Sequence, residues 1–493
     1  MDFIKQACYP YRNVFRRIYA YAVSNNAKLY LVGGFLRDIY LGRHRQDPDI
    51  DFCMARGAVR FGRGLAKHLK CGFVVLDELH GCCRLVQRCG KVICTVDIAD
   101  FRSPEIAEDL ALRDFSVNSI CLSLADLIEK KEPAGYIIDP YGGRLDIKRR
   151  RLRIMYRGAF EDDPVRLLRA FSLSALYGFV IDPECMARIV RSRKRLKDVS
   201  PERVRDEMFK IFESGRSAAC LRALDSRGIL EIVFPEIRAM KRVRKAGRAR
   251  IDIWQHTIDT VVELEGLCSR LTRNADVRGY LGERLSGGRS VYALLKAAAL
   301  LHDAGKPATF RFEKGKVSFY GHERAGSRMA ADIARRLKLS NEEQRWLSKV
   351  AFLHLRPGYM ATMRAVTERA VFRFFRDAGR ESIAILLLAL ADERATSGYQ
   401  AVEKIRPRYE RLISRLMRLY FERQKKTPRR RLVTGHDIMR LGSIPPSRSV
   451  GELLRQAEEA IAVKGITQRA EALECVRKLI KDRKRHKEGR WRR

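Results

Sequence analysis

LVGGFLRDIYLGRHRQDPDIDF, residues 31–52, decides the fold of the N-terminal part of this chain. Leu31 and Val32 end an apolar run that predicts a strand. Gly33 and Gly34 then let the backbone approach a ligand closely, and the helix-like stretch behind them offers its first N–H groups to an anion. The pattern predicts a cradle for a triphosphate. Asp49 and Asp51 alternate with apolar Ile50 and Phe52, so on a strand both carboxylates share one face while the apolar pair enters the core. Two carboxylates beside phosphate oxygens can hold Mg²⁺, and a pair of such ions can clamp the attacking and leaving oxygens of an in-line displacement. The chemistry implied is nucleotidyl transfer.

At 493 residues the chain is too long for one ordinary core and implies three or four domains. Lys and Arg exceed Asp and Glu by 40, which predicts a polyanionic partner, nucleic acid first. The N-terminus lacks the apolar region of a secretion signal, and the longest apolar run, Ile383 to Ala391, is too short to span a bilayer, so no membrane role is expected. Twelve scattered cysteines without paired C-x-x-C units are read as reduced thiols of a cytoplasmic protein.

Short apolar runs mixed with glycine and helix-like stretches between residues 29 and 140 predict a small α/β head, placed at 1–145. From there the periodicity turns helical, giving an α+β protein with a helical neck at 146–245, a histidine-bearing helical domain at 251–400, a C-terminal helical module at 401–480 and a basic tail, expected to be unstructured, at 481–493.

The residues Gly33, Gly34, Arg37, Asp38, Leu41 and Gly42, followed by Asp49 and Asp51, resemble the first motif of the class II tRNA nucleotidyltransferase and poly(A) polymerase family, GGxxRDxxLG with DxD. LRDFSVNSI resembles the second, matched by Arg113, Asp114 and Asn118, with Leu112 replacing an arginine. The resemblance assigns this segment to the ribose of the incoming nucleotide. Asp97 can supply a third carboxylate from a neighbouring strand or lie solvated at a strand end. IDPYGGRLD, with Asp139, Pro140, Gly142, Gly143 and Asp146, resembles the hinge between head and neck. Asp162-Asp163-Pro164-Val165-Arg166-Leu167-Leu168-Arg169 resembles the EDxxR helix, with Asp162 where glutamate is usual, and there the second acid and the arginine select the base. Three residues apart on a helix, Asp163 and Arg166 would share a face and address one base edge. A carboxylate accepts from the amino group of cytosine or adenine, and a guanidinium donates to ring nitrogens or carbonyls. Guanine and uracil leave the acid unpaired.

His256, the pair His302-Asp303, and Asp392 form an ordered H…HD…D set that resembles HD-type metal phosphohydrolases. Imidazole and carboxylate ligands from several helices can hold a divalent ion inside a bundle. His322 and His354 would fit a second ion.

The resemblance therefore implies a polymerase-beta-like head and a template-independent enzyme. It would build or repair the 3′ CCA end of tRNA from CTP and ATP with Mg²⁺ and release pyrophosphate. Asp49 and Asp51 would be catalytic; Gly33, Gly34, Arg37, Arg113, Asp114, Asn118, Asp163, Arg166 and Arg169 would bind the nucleotide. The HD domain would hold its own divalent metal and hydrolyse phosphate esters. The alternatives are a CC-adding, A-adding or poly(A) enzyme, the short link from Asp97 to Arg113 favouring CC addition, and an HD phosphohydrolase whose head only binds RNA.

Overall fold

The computed structural model describes residues 2–43, 49–89, 92–243, 245–246, 249–250, 252–396, 400–425 and 432–488. Contacts divide the chain into two units, Met1–Ser214 with Ala223–Val233, and Gly215–Arg222 with Phe234–Arg493. The division falls before the end of the helical region expected at 146–245. The reason lies in chemistry that periodicity does not reveal: Glu265 accepts hydrogen bonds from the Ser217 and Ala218 N–H groups, at 2.6 and 3.3 Å, and from buried Lys296 at 3.2 Å. These bonds tie 215–222 to the second unit.

The first unit is built on a six-stranded sheet, β1 (Tyr30–Val32), β2 (Asp49–Met54), β3 (Gly72–Asp77), β4 (Cys82–Cys89), β5 (Val92–Asp100) and β6 (Cys121–Ser123), in the order β3-β4-β5-β2-β1-β6. Only β2 and β5 pair in parallel, with Asp51 opposite Asp97; every other neighbour is antiparallel. On β2, Ile50 and Phe52 are buried while Asp49 is exposed and Asp51 half-buried, the alternation expected of the sequence. Helix Arg166–Tyr177 buries Leu167, Leu168, Ala170 and Phe171 and packs on helix Pro201–Glu213. Pro201 in the first turn sets the start of the latter, and Ser200 before it makes no side-chain capping bond.

In the second unit the apolar run Ile383 to Ala391 forms most of helix Ser382–Ala395, and none of those residues is more than 7% exposed. A helix apolar all round belongs at the centre of a bundle, and helix Ile253–Leu271 packs directly on it. The C-terminal helices Gly435–Gly442, Arg448–Val463 and Arg469–Glu488 share a core of Ile438, Leu453, Ala457, Ala472, Val476 and Ile480. The last helix runs to Glu488, so 481–488 is helical and not an unstructured tail. Its buried face and the Arg483–Glu452 ion pair at 3.0 Å anchor a helix that charge density alone argued against. The rest of the proposed tail, 489–493, lies outside the described residues.

Candidate active site and metal centre

β1 is followed by Gly33, whose φ of 74° and ψ of −136° suit only glycine, and a Cβ there would sit 3.5 Å from Asp51 Oδ2 and 3.7 Å from Arg113 Nη1. The first helical turn behind it leaves backbone N–H groups without intrahelical acceptors. Asp49 and Asp51 border one cavity with Gly34 at the start of this turn. Burial, and next to it the charge of Asp97 in the adjacent register position, push the Asp51 carboxyl up to about 6. Asp97 is itself held by Arg84, whose Nε and Nη2 donate to its two oxygens at 2.7 Å each. A site that crowds carboxylates in this way fits a cation.

That crowding has a measurable cost. A carboxyl whose folded pKa lies above its usual 3.8 destabilises the fold as pH rises from about 3.8, and the full cost is present above about 6. Asp51→Asn should therefore raise the unfolding free energy at pH 8 in chelator by on the order of 1–2 kcal/mol, and change it far less at pH 4. Equal stability of the two proteins at pH 8 would show that Asp51 is not strained.

The segment from Arg113 to Asn118, expected from its motif to face the ribose, is a closed network. Asp114 accepts from Phe115 N at 2.8 Å and Asn118 Nδ2 at 3.0 Å, and pairs with Arg169 at 2.7 Å. Burial alone would raise its carboxyl, but Arg169 and these donors outweigh it and hold it low. Arg113 is gripped by Asp109 at 3.0 and 3.2 Å. Arg37, placed by its motif among the nucleotide ligands, is 5% exposed and donates to Asp38, Asn118 and Tyr177, each at 2.7 Å. With its fork so occupied it acts as a clamp between the head and helix Arg166–Tyr177.

Asp163 and Arg166 come together, but not as two turns of one helix. Asp163 is extended, with φ −145° and ψ 92°, because the following Pro164 disfavours the helical region, and the helix begins at Arg166. Arg203 holds Asp163 Oδ2 at 2.7 Å, while Asp163 Oδ1 is buried without a hydrogen-bond partner. Asp163 and Arg166 border one cavity with Asp51, Asp97, Arg113 and Tyr156. The other cavity, bordered by Gly34, Asp49, Asp51, Arg169 and Tyr177, also opens on Asp51. Sequence reasoning missed Arg203 and Tyr156, which lie outside the quoted motifs and have no periodic signature.

In the second unit His256, His302 and Asp392 form one group of potential ligands and Asp303, His322 and His354 another, with donor atoms in each within 4.8 Å of one another. Asp303 lies between them, 3.3 Å from His302 Nε2 and 3.5 Å from both His256 and His322 Nε2. His302, His322 and His354 each direct Nδ1 to the carbonyl three residues back, at 2.8, 2.9 and 2.7 Å. A carbonyl only accepts, so Nδ1 carries the proton and Nε2 points inward; all three Nε2 atoms are buried and make no hydrogen bond. Orphaned inward imidazole nitrogens beside carboxylates fit a divalent metal. Burial lowers His354 to about 4, which keeps it a neutral donor. Close packing sets the geometry: a Cβ on Gly305, two residues after Asp303, would lie 2.4 Å from Gly326 N and 2.3 Å from His322 O. Lys306 Nζ, 2.5 Å from Asp303 Oδ2, was also missed, although its spacing of three from Asp303 on a turn was visible.

Residues 29–153 match the poly A polymerase head domain family, 178–241 the probable RNA and SrmB-binding site of polymerase A, and 254–397 the HD domain. The A-adding tRNA nucleotidyltransferase of Deinococcus radiodurans is 30% identical over 446 residues, covering 88% of this chain and 91% of that protein. The CC-adding tRNA nucleotidyltransferase of Geobacter sulfurreducens is 28% identical over 447 residues, 90% of each. Among solved structures, the Thermotoga maritima CCA-adding enzyme complexed with tRNA_CCA superposes with a TM-score of 0.57 at 20% identity over 94% of each chain, a likeness of fold.

Proposed function

Given that the chain belongs to the tRNA nucleotidyltransferase and poly(A) polymerase family and is a tRNA nucleotidyltransferase, we propose that it completes the 3′ CCA end of tRNA from CTP and ATP as a cytoplasmic enzyme. No helix among the described residues is long and apolar enough to cross a membrane, and the described cysteines are free thiols.

Asp49 and Asp51 would hold Mg²⁺, which when bound supplies Lewis-acid stabilisation of the charge on the reacting phosphate. Gly33 leaves room for the phosphates to approach these carboxylates, and Arg113 stands at the same edge of the cradle. Asp114, fixed by Asn118 and Arg169, faces the sugar. The tRNA 3′ hydroxyl gives up its proton to solvent and attacks the α-phosphorus; the new O–P bond forms as the bond from the α-phosphorus to the oxygen bridging to the β-phosphate breaks, and pyrophosphate leaves with that oxygen.

The observation that carries the reading is Asp163 Oδ1, a buried acceptor without a partner. An amino group on cytosine or adenine satisfies it; the carbonyl of uracil or guanine leaves it unpaired, at a cost of about 1–3 kcal/mol. Side chains thus replace a nucleic-acid template. His256, His302, Asp303, His322, His354 and Asp392 would hold a divalent ion in the HD unit and support phosphate-ester hydrolysis there.

A second reading is favoured by the link from Asp97 to Arg113. It is a folded clasp: Asp109, 1% exposed, accepts from Arg102 N at 3.1 Å and from Arg113, and both Arg102 and Arg166 donate to Leu112 O, at 3.1 and 3.3 Å. A template that changes from C to A must move Arg166 against this clasp, so a rigid link favours an enzyme that stops at CC. Incubating tRNA that lacks its CCA with CTP, ATP and both, resolved to single nucleotides, separates the readings. Full CCA is expected; products stopping at CC with ATP present would establish the second, and no extension would overturn both.

A further inference from the structure

The Tyr156 hydroxyl has one proton and two lone pairs, and its two neighbours use them in a fixed order. It lies 2.6 Å from Asp162 Oδ2 and 2.9 Å from Arg166 Nη1. An ionised carboxylate can only accept and a guanidinium can only donate, so the phenol gives its proton to Asp162 and receives Arg166 on its oxygen. Arg166 Nη1 also reaches Ala159 O at 3.3 Å, and Nη2 reaches Leu112 O at 3.3 Å.

The consequence is that Arg166 is not spent on Asp163. Guanidinium and carboxylate approach no closer than 3.9 Å, beyond hydrogen-bond range, and the Asp163 carboxylate is held instead by Arg203. An acid and a base bound to each other satisfy each other and have nothing left to read a base. Here each has its own anchor, and the cavity between them keeps an unpartnered carboxylate oxygen.

We propose that Tyr156, braced by Asp162, is a positioning residue that aims the Arg166 guanidinium for base selection. This rests on the reading of Asp163 and Arg166 as the base selector. Asp162 stands where the related motif carries glutamate, and it reaches the guanidinium through the phenol. The charge of Asp162 polarises the hydroxyl and makes its oxygen a stronger acceptor for Arg166. Because the two act in series, removing either loses the same restraint on the guanidinium. The Tyr156 ring also borders the cavity, so a substitution that keeps the ring isolates the hydroxyl.

The test is single-nucleotide addition of CTP and of UTP to tRNA lacking its CCA, with kcat and KM measured separately. Wild type is compared with Tyr156→Phe, Asp162→Asn, the double variant and Asp163→Ala, all shown to unfold at matched temperatures. Tyr156→Phe and Asp162→Asn are each expected to lower the ratio of CTP to UTP efficiency about tenfold, through the KM for CTP more than through kcat. The double variant should be no worse than about the weaker single one, as a series arrangement requires. A ratio within twofold of wild type in Tyr156→Phe, with Asp163→Ala collapsed, would overturn the relay and leave the selector standing. Multiplied losses in the double variant would equally overturn it, since Asp162 would then act by another route. Should Asp163→Ala also keep the wild-type ratio, the selector falls and the relay with it.

Discussion

Asp49→Ala and Asp51→Ala each should reduce nucleotide addition by about 10³-fold or more while tRNA affinity stays within about twofold. Removing one carboxylate from a site that is to clamp phosphate oxygens forfeits several kcal/mol of transition-state stabilisation, and each 1.36 kcal/mol is tenfold in rate. RNA affinity should survive because the charge excess of 40 is spread over the chain, and phosphate contacts dominate such binding. Initial rates with saturating CTP, beside a filter-binding isotherm for tRNA, check both halves. Addition at near wild-type rate by either variant would remove the carboxylates from the mechanism.

The second large effect concerns the other unit. His302→Ala combined with Asp303→Ala should lower bound divalent metal at least tenfold, by elemental analysis, and abolish any phosphatase or phosphodiesterase activity while nucleotide addition continues. Loss of a supporting neighbour alone typically costs 10–100-fold in metal affinity, and these two residues are proposed as ligands themselves. Separability follows because Asp49, Asp51 and Asp163 lie in one compact unit and His302 and Asp303 in the other. Unchanged metal content would make the orphaned imidazoles packing residues only.

Much of the catalytic head was legible because its signals are local. Alternation of Asp49, Ile50, Asp51 and Phe52 reports a strand with one wet face, and the structure has that strand. The grouping of His256, His302 and Asp392 was legible only as an ordered set; the folding of three helices, each contributing one ligand or a neighbour of one, made it a cluster. What stayed hidden is what depends on contacts between distant segments. Arg203 reaches Asp163 across forty residues, and Arg84 reaches Asp97 across a strand pair, with no periodicity to announce either. Spacing also misled where backbone geometry intervened: Asp163 and Arg166 are three apart, yet Pro164 takes the acid out of the helix. The pair survives because a tight turn, with Arg166 N bonded to Asp163 O at 3.1 Å, keeps both at the same cavity. Likewise the charge of 481–488 pointed to a tail, while apolar Ile480 just before it and Val476 a turn earlier were enough to seat the helix.

The account stands or falls on a protein side chain acting as template, and one ratio measures it: the efficiency of CTP over UTP in single addition by Asp163→Ala relative to wild type. An unpaired buried acceptor costs roughly 1–3 kcal/mol, so its removal should erode discrimination by about tenfold or more, each tenfold being 1.4 kcal/mol, and do so more than it slows addition of CTP. A ratio that stays within about twofold of wild type, less than roughly 0.4 kcal/mol, would contradict it and reduce Asp163 to one half of an ion pair with Arg203.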